Sequence, residues 1–128
     1  MEELTKEELL DIETNLKEGS LIDKDDSLEV TFKGDYWEKF LIFNNQIRGY
    51  YYFTKKKIVF IGGALGSTTW TVPYESIREL KKCNLALFMP TGIKIKFYDE
   101  TKNRLKKYKM SILKRDKWFE YINAKLKK

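Results

Sequence analysis

The chain has 128 residues, the size of one domain, and its 42% apolar and 15% aromatic content is too hydrophobic for a disordered protein and weighted toward strand formers. It has no histidine and one cysteine, Cys83, which removes the commonest general base, the usual Ser and Cys triads, thiolate metal clusters and an intramolecular disulfide. No apolar run approaches the ~20 residues of a membrane-spanning helix and no secretory signal is evident, so a cytoplasmic protein with at most peripheral membrane contact is expected.

The net charge of +6 conceals a division. Residues 1–26 carry ten acidic groups against Lys6, Lys17 and Lys24, a net of −7, while the remaining 102 residues carry 22 basic and nine acidic groups, a net of +13. This sets an acidic helix and linker, residues 1–26, apart from a basic domain, residues 27–128. A body so charged attracts anionic partners over long range, or attracts its own leader.

The leader reads as a helix. Thr5-Lys6-Glu7-Glu8 has the spacing of a capping box, in which hydroxyl and carboxylate each satisfy a free backbone N–H at the helix start. Leu9, Ile12 and Leu16 follow on one face, and Gly19 supplies a stop. Residues 23–27 read as a polar linker.

From Leu28 the pattern changes to strands. Leu28, Val30 and Phe32 alternate with Glu29, Thr31 and Lys33, and Gly34-Asp35 reads as a break before an aromatic stretch at residues 36–43 that Asn44-Asn45 would turn. Residues 49–53 and 58–61 form a tight hairpin through Thr54-Lys55-Lys56-Lys57. Residues 62–67 read as a glycine-rich loop, 68–72 as a short strand and Pro73-Tyr74-Glu75-Ser76 as a turn, with a further strand within 77–87. Pro90-Thr91-Gly92 is a strong turn signal. Then Ile93, Ile95 and Phe97 alternate with Lys94, Lys96 and Tyr98, and Tyr108, Met110 and Ile112 with Lys107, Lys109 and Ser111, so one face is core and the other lysine. A helix from about Lys114 closes the chain, with Trp118, Tyr121, Ile122 and Leu126 on one face.

Three ordered segments carry a family resemblance. Gly49-Tyr50-Tyr51-Tyr52-Phe53-Thr54-Lys55-Lys56-Lys57-Ile58-Val59-Phe60, then Val72-Pro73-Tyr74-Glu75-Ser76-Ile77, then Lys114-Arg115-Asp116-Lys117-Trp118-Phe119-Glu120-Tyr121-Ile122 together resemble the GRAM and bacterial PH branches of the PH-like superfamily. The hairpin departs from the pattern in carrying Lys55 and Lys57 where Asn and Arg are usual, and the acidic leader is extra. The resemblance implies a mainly β (α+β) fold, with a bent antiparallel sheet of about seven strands. It implies that the C-terminal helix plugs the sheet with Trp118 as anchor, and here an N-terminal helix is added. Lipid binders, protein binders and scaffolds share this fold.

No cofactor, metal or catalytic motif is present. Asp99-Glu100 is a pair of adjacent carboxylates in a loop, more readily solvated than catalytic. Residues 62–67 lack the Lys-Ser/Thr ending of a phosphate loop and no helix follows. Tyr50 to Phe53 would offer at most two rings to a stacked base, since alternate strand residues face opposite ways; the family register points Tyr51 and Phe53 inward.

The candidate ligand-binding residues are therefore basic: Lys55, Lys56 and Lys57 at the hairpin tip, and Lys94, Lys96, Lys107 and Lys109 on the paired strands. Opposed like charges destabilise a sheet. Either an anionic partner offsets that, whether lipid headgroups or an acidic protein segment, or the lysines serve only solubility and edge protection. The expectation is a noncatalytic binding module, with self-association as an alternative and no specific nucleic-acid motif in sight. The acidic leader is a candidate to shield the lysine face.

Overall fold

The computed structural model describes residues 4–40, 43–85 and 89–127. The leader forms α1 (Lys6–Glu18) with the expected capping box: Thr5 Oγ1 accepts the Glu8 N–H at 3.1 Å and Glu8 Oε1 accepts the Thr5 N–H at 3.0 Å. Seven strands follow, β1 (Leu28–Phe40), β2 (Phe43–Thr54), β3 (Lys57–Gly62), β4 (Thr68–Pro73), β5 (Ile77–Leu85), β6 (Met89–Asp99) and β7 (Arg104–Ser111), and then α2 (Arg115–Leu126). They make one bent antiparallel sheet in the order β4-β3-β2-β1-β7-β6-β5.

Three sequence expectations are corrected. Gly34-Asp35 does not break a strand. β1 runs through it, so what reads as two strands is one. Asn44 and Asn45 do not turn the chain, because both pair within β2, opposite Lys39 and Glu38; long-range ladder pairing overrides local turn propensity. Pro90-Thr91-Gly92 lies inside β6 rather than in a turn. There the register slips between Cys83↔Gly92 and Leu85↔Met89, and the irregularity gives proline a place in a strand.

The reason Gly34 belongs in a strand is visible across three of them. Gly34 stands opposite Gly49, and Gly49 opposite Gly62, forming a glycine seam on the inner face. A Cβ on Gly34 would meet the Tyr51 ring at 2.7 Å, one on Gly49 the Ile61 carbonyl oxygen at 2.4 Å, and one on Gly62 the Phe60 ring at 2.6 Å. The missing side chains admit two core rings, and the sheet bends around them.

Inside the bend Tyr51, Phe53, Ile58, Phe60, Ile93, Ile95 and Met110 are fully buried. α2 closes one end: Ile122 is fully buried, and the Trp118 ring stacks on Phe32 at 4.4 Å between centroids and meets Phe53 edge-on. A second, smaller cluster lies on the outer face. Val59 alternates with inward Ile58 and Phe60, yet it is fully buried because Leu16 of α1 and Ile22 beyond it pack over it, flanked by Tyr52 and Ile61.

Gly49→Ala should destabilise the protein by about 1–3 kcal/mol, because an added Cβ there strikes backbone that cannot yield cheaply. A urea midpoint unchanged from wild type would show that the seam tolerates side chains.

Candidate functional site

Strand alternation builds the lysine face. With Ile93 and Ile95 buried inward, Lys94 and Lys96 project outward, and the register sets Lys94 directly opposite Lys109 and Lys96 opposite Lys107. On the other side of β6, Lys81 stands opposite Lys94 and Glu79 opposite Lys96, and β1 adds Trp37 opposite Lys109. The cations thus form a two-dimensional grid, with steps of ~4.8 Å across strands and ~6.7 Å along them. Within it the one ion pair among the described residues joins Lys81 to Glu79 at 3.3 Å. Lys94, Lys96, Lys107 and Lys109 enter no ion pair among the described residues, and each opposed pair costs a few tenths of a kcal/mol.

The hairpin tip is differently placed. Thr54 Oγ1 donates to Asp26 Oδ2 at 2.7 Å and accepts the Lys57 N–H at 3.0 Å. Asp26, only 1% exposed, also accepts the Lys56 and Ser27 N–H groups at 3.2 and 2.8 Å. Lys56 Nζ pairs with Asp25 at 2.7 Å, and that hydrogen bond holds the Asp25 carboxyl below its usual range. The linker therefore occupies Lys56, leaving Lys55 exposed and Lys57 half-buried. Leu28 pairs with Thr54 at one end of β1, whereas Trp37 meets Lys109 nine residues further on, roughly 30 Å of strand. The tip and the grid are two places rather than one.

The leader does not cover the grid. α1 docks on the outer face of β2 and β3, which lie on the far side of β1 from β7. Its apolar stripe requires Val59, Ile61 and Tyr52, and the lysine face offers nothing comparable. Glu13 fixes the docking: it accepts the Leu28 N–H at 2.7 Å and pairs with Lys17 at 3.2 Å. The Leu28 hydrogen bond chiefly, with Lys17 adding to it against the opposing effect of burial, holds the Glu13 carboxyl below its ordinary value of 4.5.

The remaining candidates resolve into structure. Asp99 caps the β6–β7 turn, accepting the Thr101 N–H at 3.0 Å and pairing with Lys106 at 3.0 Å. Tyr51 and Phe53 are inward and fully buried, Tyr50 is 45% exposed and Tyr52 is half-buried beside α1, so Tyr50 is the ring of this run most open to solvent. Burial pushes the Tyr36, Tyr51 and Tyr108 phenols up, which keeps them protonated and unsuited to act as bases. Among the described residues no three side chains cluster as metal ligands. The described residues include two shallow grooves, one of about 440 Å³ beside Pro90 and residues 114–117, and one of about 420 Å³ on the outer face above the glycine seam, lined by Lys33, Asp35, Arg48 and Tyr50.

Lys81, Lys33 and Arg48 share the outer face with the grid, and sequence reading passes over Lys81 and Arg48. The bulges in β5 hide its alternation, and the cross-strand register that brings Lys81 beside Lys94 is not written locally.

The comparisons bear on the fold. The C-terminal domain of an unknown protein from Leishmania infantum superposes with a TM-score of 0.68 at 16% identity, covering 91% of this chain and 99% of that one. The N-terminal PH domain of Vps36 superposes with a TM-score of 0.57 at 15% identity, covering 83% of each chain. The chain has a PH-like fold. At these identities the likeness reaches no further than architecture. No family model and no curated protein matches the sequence.

Glu13→Gln should lower stability by about 1 kcal/mol at neutral pH, because a charged acceptor is lost at the Leu28 N–H. Since the folded carboxyl titrates below its unfolded value, the wild-type advantage is complete above about pH 4.5 and disappears as pH falls through the lowered folded value. Unfolding midpoints of both proteins across an acid titration check this; a gap that persists in strong acid would assign the loss to packing.

Proposed function

We propose that the chain is a noncatalytic binding module of the GRAM or bacterial PH kind, which engages an anionic membrane surface peripherally through the Lys94, Lys96, Lys107 and Lys109 grid, extended by Lys81. The observation that carries this reading is the direct opposition, in two adjacent rows, of lysines that enter no ion pair among the described residues. Repulsion built into a ladder is relieved when an anionic layer neutralises it. The grid extends in two dimensions, which suits a field of headgroups better than one extended acidic segment. Lys55 and Lys57 would add a peripheral contact, and Lys56 is held by Asp25. On this reading the module works in the cytoplasm, and residues 27–128 carry the binding domain while residues 1–26 brace it.

Sedimentation with phosphatidylserine vesicles at low salt tests the proposal, with phosphatidylcholine vesicles, an oligoglutamate peptide and duplex DNA as parallel arms. Wild type should bind the phosphatidylserine vesicles, and replacing all four lysines by glutamine should weaken that binding on the order of a thousandfold, at about 1 kcal/mol per lysine. The replacement should leave stability unchanged or slightly raised, since opposed charges are removed. Equal vesicle binding by both proteins would overturn the assignment. Binding confined to the peptide or the DNA arm would transfer the face to that partner class.

A further inference from the structure

An open sheet has two edges, and this one treats them unequally. β5 is the guarded edge. It carries Arg78, Glu79, Lys81 and Lys82, its register shifts twice, and Arg115 of α2 donates to the Cys83 carbonyl at 3.2 Å. Lys82 is tied to the same helix through Asp116 at 3.0 Å. Charges, bulges and a covering element are the devices by which proteins keep a sheet edge from pairing with another chain.

Among the described residues β4 has none of these along its length. Alone among the seven strands it contains no charged residue, and Thr68, Thr69, Trp70, Thr71 and Val72 are all β-branched or aromatic, the residue types that favour strands. Its register against β3 is unbroken from Pro73↔Lys57 to Thr68↔Gly62. The hydrogen-bond phase is also fixed. The Tyr74 N–H bonds to the Lys56 carbonyl at 3.1 Å, so by alternation Val72, Trp70 and Thr68 turn their backbone groups to β3. Thr69 and Thr71 turn theirs to the open side. Pro73 falls in the outward phase, where its missing N–H costs the β3 ladder nothing.

We infer that β4 is a self-association edge, on which a second copy of this chain adds its own β4 antiparallel about a two-fold axis. The strand is self-complementary in that arrangement. With Trp70 opposite its counterpart, Thr69 of each copy faces Thr71 of the other, and each such pair exchanges two backbone hydrogen bonds. Outward Thr–Thr neighbours form on the outer face, a favourable cross-strand combination. Charge selects this edge over other approaches: for a molecule of net charge +6, docking through β4 opposes no lysine to lysine, whereas docking through β5 or the grid does. The inference is independent of the vesicle-binding proposal, since β4 and β7 are separated by three strands.

Sedimentation equilibrium across micromolar to millimolar concentration tests it on the full chain, with hydrogen exchange at the Thr69 and Thr71 amides as a second readout. Wild type should pass from monomer to dimer, and both amides should become more protected as dimer forms. Thr71→Pro removes an outward N–H without touching the β3 ladder, and should weaken association on the order of thirtyfold through the two hydrogen bonds lost per dimer. Thr69→Lys, at an exposed position, should abolish it by opposing charge across the axis. The lysine-to-glutamine variant of the grid should dimerise like wild type. A strictly monomeric wild type overturns the inference, as does a dimer that survives both β4 substitutions. A monomer whose Thr69 and Thr71 amides gain protection only when an extended threonine-valine peptide is added would give the edge to a foreign strand and likewise refute self-pairing.

Discussion

Everything in this molecule depends on two aromatic rings occupying space that a row of glycines leaves free. Tyr51 and Phe60 press against Gly34, Gly49 and Gly62 so closely that a single methyl group at any of the three would collide. The sheet therefore cannot lie flat there. Tyr51 also reaches across the bend, its hydroxyl donating to the Asp35 carbonyl at 2.8 Å, which satisfies a polar group that burial would otherwise penalise. From this centre the aromatic core extends both ways. Tyr36, Trp70 and Tyr108 pack at one end, and Phe32, Phe53, Trp118 and Tyr121 at the other. Aromatic residues fill the concave side so fully that polar work falls to the convex side.

That convex side is partitioned. α1 takes the β2–β3 portion because Val59 is an outward apolar residue that must be covered, and the lysines hold the β5–β7 portion. The charge contrast between leader and body thus does not resolve into one large electrostatic contact. It is expressed locally instead, in Asp25 against Lys56, Glu13 against the Leu28 amide and buried Asp26 against the hairpin tip. The acidic leader braces the sheet through hydrogen bonds and apolar packing.

How much of this the sequence discloses depends on whether a feature is local. The capping box at Thr5 and the alternation of Ile93–Lys94–Ile95–Lys96 are read within a few residues, because one hydrogen-bonded turn or one strand face fixes them. The three segments quoted for the PH-like resemblance lead to the right architecture for the same reason. Gly34 misleads, since its role is set by a ring seventeen residues away, and a glycine that admits a neighbour looks identical to one that turns a chain. Val59 inside Ile58-Val59-Phe60 is a legible hint of a covered outer face, because a strand solvated on that side would alternate. Nothing local says that α1 provides the cover. The lysine grid is half legible: each strand's outward set follows from alternation, but the addition of Lys81 rests on a register that only the folded sheet defines.

Among the described residues the junction between β1 and β7 consists of three residue pairs, Asp35↔Ser111, Tyr36↔Met110 and Trp37↔Lys109, against twelve along β1 and β2. The sheet is accordingly two meanders joined by a narrow seam. α2 bridges them, setting Trp118 on Phe32 and Phe53 of the first and holding Lys82 and the Cys83 carbonyl of the second. The contacts that unite the halves are among the most distant in sequence, and long loops must close before such contacts form. Folding order is thereby constrained: each meander can nucleate on its own hairpins, while the Trp70–Tyr108 packing across the seam and the docking of the helix both require the two meanders to have come together.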